Sequence, residues 1–194
     1  MATMNPSIPP ALELLLNRRS VPRLVAPGPN DDELTLMLRA VTRVPDFQHL
    51  RPYRFLFARG EGLTRLGEAI RRAATRAGKT ADVVERAPRM PHRAPLVAVV
   101  ISSPKPSDVV SKLEQQLCAG CATLTLQLAA NSLGYAGVWR TGWLASEPIF
   151  HEELHLTSGE TIVGFLYLGT APKGCGARQS ASVENSPLAD TAWI

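Results

Sequence analysis

Apolar residues recur along this chain at two periods, and the changes between them mark out its elements. Leu12, Leu15 and Leu16, with Leu14 beside them, predict a first helix ending near Arg18 or Arg19. In "NDDELTLMLRAVTRV", Leu34, Leu38 and Val41 return to one face. Asn30 or Asp31 is placed to cap that helix, Glu33 suits its first turn, and Pro45 stops it. "PYRFLFAR" alternates instead and predicts a strand over residues 54–59. The amphipathic "GEGLTRLGEAIRRAATRAG" turns Leu63, Leu66 and Ile70 inward and leaves Arg65, Arg71, Arg72 and Arg76 to solvent. A proline-broken loop, "RAPRMPHRAP", leads into "LVAVVIS", an apolar β-branched run typical of an interior strand.

After "PKPSD", Ser107 or Asp108 is a candidate cap for a long helix that continues to Leu133, and Gly134 ends it. A short strand near "AGVWRTG", a small helix over 148–154 and a second interior strand over 161–171 complete the order. The long helix is exceptional. Residues 115–139 carry no formal charge and are long enough to span a bilayer. Gln115, Gln116, Gln127 and Asn131 would be costly in lipid, so the segment reads as a helix buried in protein. Leu117, Leu124 and Leu128 make one face apolar, while Ala119, Ala122, Leu126 and Ala129 do the same for the other. One sheet cannot cover both faces, which predicts a homodimer with this helix between its own sheet and a second subunit. The tail "SPLADTAWI" ends in Trp193 and Ile194, an apolar terminus that wants a groove on the partner.

Composition narrows the class. A chain of 194 residues, 45% hydrophobic and 20% charged, predicts a single soluble domain over 1–194. The net charge of +4 comes from scattered arginines, which fits a small anionic ligand or solubility and not a nucleic-acid stripe. The N-terminal apolar run is short, holds Glu13 and precedes its positive charge, so no secretory pattern is read and a cytoplasmic protein is expected. Three cysteines make no disulfide framework. Cys118 and Cys121, in C-A-G-C on an apolar helix, read as two buried small side chains. His151 and His155 are four apart without an identifiable third ligand, so no metal is expected. No Ser-His-Asp elbow and no G-x-G-x-x-G after a strand is found.

"LLNRRS", "RVPDFQHLRPYRF", "GVWRTG" and "IVGFLYLGTA" occur in that order. Together they resemble the nitroreductase family, most closely its short YdjA-like subgroup, over about Ala11 to Lys173. The resemblance implies an α+β fold, a mainly antiparallel sheet flanked by helices, with the long helix central to the subunit interface. It implies a homodimer in which residues 175–194 reach over the partner. It also implies FMN as cofactor, NAD(P)H as co-substrate, and a nitroaromatic, quinone or similar electron-poor acceptor. A flavin-binding protein without turnover is the alternative.

The same resemblance assigns site residues. Arg18, Arg19 and Ser20 are the phosphate-facing set, since guanidinium forks make strong charge-assisted bonds to a phosphate; on pattern alone the arginines equally complement a helix dipole. Arg43 is a flavin contact. Trp139, Arg140 and Thr141 match a flavin-contacting tripeptide that usually ends in serine, with backbone amides facing the flavin N5 and O4 edge. Phe47 stands where the subgroup carries histidine. It covers the ring or ribityl chain without hydrogen bonding, and that contact is lost or replaced by His49 or Gln48. Arg51 and Tyr53 replace the glutamine and tryptophan of a frequent Gln-Pro-Trp; Arg51 faces either solvent or the 2′-phosphate of NADPH. No side chain is nominated as a catalytic acid or base, because the cofactor carries the chemistry.

Overall fold

The apolar runs form one four-stranded sheet. A computed structural model describes residues 8–174 and 192. Its strands are β1 (Tyr53–Arg59), β2 (Leu96–Ser102), β3 (Ala136–Arg140) and β4 (Thr161–Gly169), in the order β1-β2-β4-β3 with every neighbouring pair antiparallel. The two strands read as interior are the two interior strands, and β2 is buried at every position.

Alternation along the strands divides the core into two layers. On one face Val97, Val99, Ile101, Val138, Phe165 and Tyr167 meet α3 (Glu61–Arg76) through Leu63, Leu66 and Ile70, and α6 (Pro148–Glu153) through Phe150. On the other, Leu96, Ala98, Leu166 and Leu168 meet α2 (Asp31–Val41) and α5 (Lys112–Ser132). Gly67 of α3 lies so close to the Pro88 backbone that a Cβ would sit 2.5 Å from its carbonyl oxygen. The arginines of α3 are solvated as expected, and Arg72 and Arg76 also pair with Glu152 and Glu153 across to α6.

The boundaries follow local chemistry. The first helix, α1 (Pro10–Asn17), ends with Arg18 as C-cap, and none of its residues is buried. Of the two candidate caps of α2, Asn30 is used, in a capping box with Glu33. The long helix α5 starts later than expected. Ser111 and Glu114 form its capping box, whereas the Ser107 hydroxyl accepts from the Val109 and Val110 amides in a turn upstream. The stretch read as loop before β2 holds two 3-10 turns, Ala87–Arg89 and Pro91–Arg93, and a short helix, α4 (Ala81–Arg86), precedes it. The last strand stops at Gly169 and not at Ala171, because Thr170 turns aside to pair with Val25. Cysteine burial also needs correction. Cys118 of α5 is buried, but Cys121, three positions on in the same helix, is exposed.

Only one side of α5 is covered by its own sheet. Ala119, Ala122, Leu126 and Ala130 are fully buried, while Leu113, Leu117 and Leu124 are 64%, 61% and 43% exposed. Among the described residues no helix is long and apolar enough to cross a membrane. The expected C-terminal extension, including Cys175, Trp193 and Ile194, lies outside the described residues except for Ala192.

Candidate functional site

The segment after α1 is laid against the outer edge of β3. Ser20 forms a parallel bridge with Gly137, and the Val21 amide donates to the Gly137 carbonyl at 3.0 Å. On its other side Gly137 lies close against β4, where a Cβ would meet the Tyr167 carbonyl oxygen at 3.1 Å and Leu168 at 3.0 Å. The "NRRS" and "VWRT" motifs, far apart in sequence, therefore run side by side.

A cleft of about 250 Å³ opens where they meet, lined by Leu14, Asn17, Arg18, Arg19, Asn131 and Tyr135 among others. Arg18 is half-buried in its wall; Arg19 and Ser20 are exposed. Asn131, near the end of α5, donates to the Tyr135 carbonyl at 2.8 Å, and its Oδ1 is buried without a partner. The Tyr135 hydroxyl donates to Glu33 at 2.8 Å, and that bond raises its pKa. Neither Asn131 nor Tyr135 was singled out from sequence. Nothing in their spacing marks them, and they reach the cleft only because α5 ends beside the Arg18 segment.

Trp139 and Arg140 leave β3 on opposite faces. The Trp139 indole lies across Gly164 of β4, where any Cβ would overlap its Nε1, and extends toward Gly120 of α5; it is 36% exposed. Arg140 points to the other layer. Its Nη2 donates to the Pro22 carbonyl at 3.3 Å, its guanidinium lies 5.9 Å from the Tyr167 ring centroid, and its Nε is buried without a partner. Thr141 is exposed at the strand end, just before Gly142 (φ 77°) turns the chain into a 3-10 turn over Trp143–Ser146.

Arg43 and Phe47 are not in this cleft. Arg43 is exposed beyond the end of α2, and Phe47, 69% exposed, stands on a turn tied to the segment that precedes α5. The adjoining Asp46 carboxylate, after burial, helps push the Cys118 thiol up to about 11. From Cys118 to Asn131, α5 rises about 20 Å. The two groups of predicted residues thus stand toward opposite ends of the long helix within one subunit. Tyr53 is a structural residue, its hydroxyl donating to the Val41 carbonyl at 3.2 Å, and Arg51 is exposed.

Two arginines on a cleft, with the Arg140 guanidinium bonded to the Pro22 carbonyl just past their segment, fit a phosphate-bearing cofactor. A family model described as the nitroreductase family matches residues 15–170. The chain belongs to the nitroreductase family. The protein named "Putative NAD(P)H nitroreductase YdjA" of Escherichia coli (strain K12) is 39% identical over 160 residues, covering 82% of this chain and 87% of the relative. A "Putative NAD(P)H nitroreductase" of Haemophilus influenzae is 33% identical over 82% of this chain and 88% of its own. Among solved structures, a nitroreductase-like family protein from Bacillus cereus superposes with a TM-score of 0.72 at 26% identity, covering 95% of this chain and 98% of that one. A Bacteroides fragilis nitroreductase with bound FMN shares the fold at the same TM-score and 23% identity, over 96% and 99%. Family membership accounts for the α+β architecture, with its antiparallel sheet between helices.

Proposed function

We propose that this chain is one subunit of a homodimeric, FMN-dependent NAD(P)H oxidoreductase that reduces nitroaromatics, quinones or similar electron-poor acceptors. The observation that carries the proposal is the Arg18–Arg19 cleft fastened to β3 in a chain of this family. Arg18, Arg19 and Ser20 hold the phosphate, with Arg140 behind them. Trp139, braced on Gly164, and Thr141 border the ring. Bound FMN supplies the hydride-accepting and electron-donating chemistry; the protein binds it, orients it and excludes water.

The dimer follows from the uncovered stripe of α5. Leu113, Leu117 and Leu124 repeat along one side of α5, and burying them takes a second apolar surface. In an isologous pair with the two α5 helices antiparallel, the end of one carrying Arg18 faces the end of the other carrying Phe47. Arg43 and Phe47 of the partner subunit then complete the site that one chain leaves divided. Residues 175–194 serve as the extension over the partner. The cytoplasm, where NAD(P)H is regenerated, is the compartment this reading assigns.

The decisive test is flavin content. Arg18→Ala combined with Arg19→Ala is expected to give a folded dimer depleted of FMN, measured by the absorbance of the purified protein. Normal flavin content in that variant overturns the phosphate role. Anaerobic NADH or NADPH is expected to bleach the flavin absorbance of the holoenzyme; an unbleached holoenzyme favours the passive binder, which the loss of a hydrogen-bonding side chain at Phe47 would suit.

A further inference from the structure

The turn that follows α2 is unusual in its backbone. Gln48, His49 and Arg51 all have positive φ, at 65°, 52° and 47°, and none is glycine. Side chains avoid this left-handed region, and such conformations persist only where surrounding contacts hold them. The contacts here come mainly from one residue. The Asp46 carboxylate accepts from the Arg51 amide at 2.8 Å through Oδ2 and from the Leu50 amide at 3.2 Å through Oδ1, and the Asp46 carbonyl accepts from the His49 amide at 3.1 Å. A second tie comes from outside the turn, where the Ser107 hydroxyl lies 3.2 Å from Gln48 Oε1 and donates to it. Between these anchors stands Phe47. Its ring is among the most exposed large apolar side chains of the described residues, on a backbone that is held and not free.

An exposed phenylalanine on a strained, doubly tethered turn is poorly explained by folding, because burying the ring or relaxing the turn is the lower-energy course. We propose that Asp46 is a positioning residue, whose carboxylate locks residues 47–51 in the left-handed turn that holds the Phe47 ring rigidly outward against a flavin. This rests on the FMN reading above. A histidine can be steered by its own hydrogen bonds. A phenyl ring cannot, so its placement rests on the backbone beneath it and the rotamers that backbone allows. Asp46 supplies that placement without touching the ligand.

The experiment is an FMN titration of the apoprotein, followed by quenching of flavin fluorescence, with Asp46→Ala, Asp46→Asn, Phe47→Ala and the paired variants. Asp46→Ala is expected to weaken FMN about tenfold, and Asp46→Asn, which keeps one acceptor oxygen, about threefold. Phe47→Ala alone should weaken it as much as Asp46→Ala, and adding the Asp46 change to Phe47→Ala should cost little more. That sub-additivity is what a merely structural aspartate would not produce. If Asp46→Ala does not fold, the same cycle with Asp46→Asn decides. Full additivity, or wild-type affinity in the Asp46 or the Phe47 variants, overturns the inference while leaving the function standing. Failure of the unmodified apoprotein to bind FMN overturns both.

Discussion

Single atoms set the limits at Gly164 and Asp46. A Cβ at Gly164 would overlap the Trp139 indole and approach the Arg140 carbonyl oxygen to 2.8 Å, so the flat packing of indole on backbone requires hydrogen at that position. Gly164→Ala is expected to destabilise the fold by about 1–3 kcal/mol through overpacking. It should also displace Trp139, read as a shift in tryptophan fluorescence together with a fall in thermal midpoint. An unchanged midpoint with an unchanged emission spectrum would show that the two strands yield more easily than their register suggests. At this scale the sequence was informative about residue type and silent about surroundings. "GVWRTG" marks Trp139, Arg140 and Thr141, and strand alternation puts Trp139 and Arg140 on opposite faces, yet only the register against β4 shows what each face meets. The odd backbone of Gln48, His49 and Arg51 leaves no compositional trace, since none is a residue that favours positive φ in the way glycine does.

Among the elements, α5 shows how a pattern can be read correctly and still remain open. Its two apolar faces were legible from Leu117, Leu124, Ala119 and Ala122, and the fold covers only the alanine side. The small residues let the helix lie close on Ala98 and Leu166, while the leucines point away from the sheet. Leu117→Glu is therefore expected to leave the fold intact and dissociate the dimer proposed above, measured by sedimentation or light scattering, with FMN lost in parallel if the site is shared. A charged residue at the centre of an apolar interface costs several kcal/mol unless paired. A variant that stays dimeric with full flavin content places the interface elsewhere. The start of α5 falls at Ser111 and not at the expected Ser107 or Asp108, because of these three only Ser111 has a glutamate three positions on to complete a capping box.

For the whole molecule, one ion pair ties the end of the loop before β4 to β1. Arg54 of β1 donates to both carboxylate oxygens of Glu160, at 2.6 and 2.7 Å, and this guanidinium is the main reason Glu160 is lowered to about 2. Glu160 is nearly buried and Arg54 a third exposed. A depressed carboxylate contributes stability that is complete above its unfolded pKa, near 4.5, and disappears as pH falls toward 2. Discounted for the exposure of Arg54, the contribution is about 2 kcal/mol. The thermal midpoint should fall between pH 4.5 and 2, and Glu160→Gln should flatten that part of the profile while lowering the midpoint at neutral pH. Identical profiles for the two proteins would remove Glu160 from the account of acid stability.

Taken alone, the sequence settled the periodicities, and with them seven of the main helices and strands to within a residue or two, both interior strands included, while its resemblance to a family nominated the candidates Arg18, Arg19, Ser20, Arg43, Phe47, Trp139, Arg140 and Thr141. Periodicity and side-chain chemistry are local properties, and neighbouring residues carry them wherever the chain goes. Tertiary structure alone decided which candidates meet. It laid the Arg18 segment along β3, brought Asn131 and Tyr135 to the same cleft, and left Arg43 and Phe47 toward the far end of a rigid helix. The reason is that meeting depends on strand order, register and helix length, quantities set by how the whole core packs and by no short stretch of residues within it.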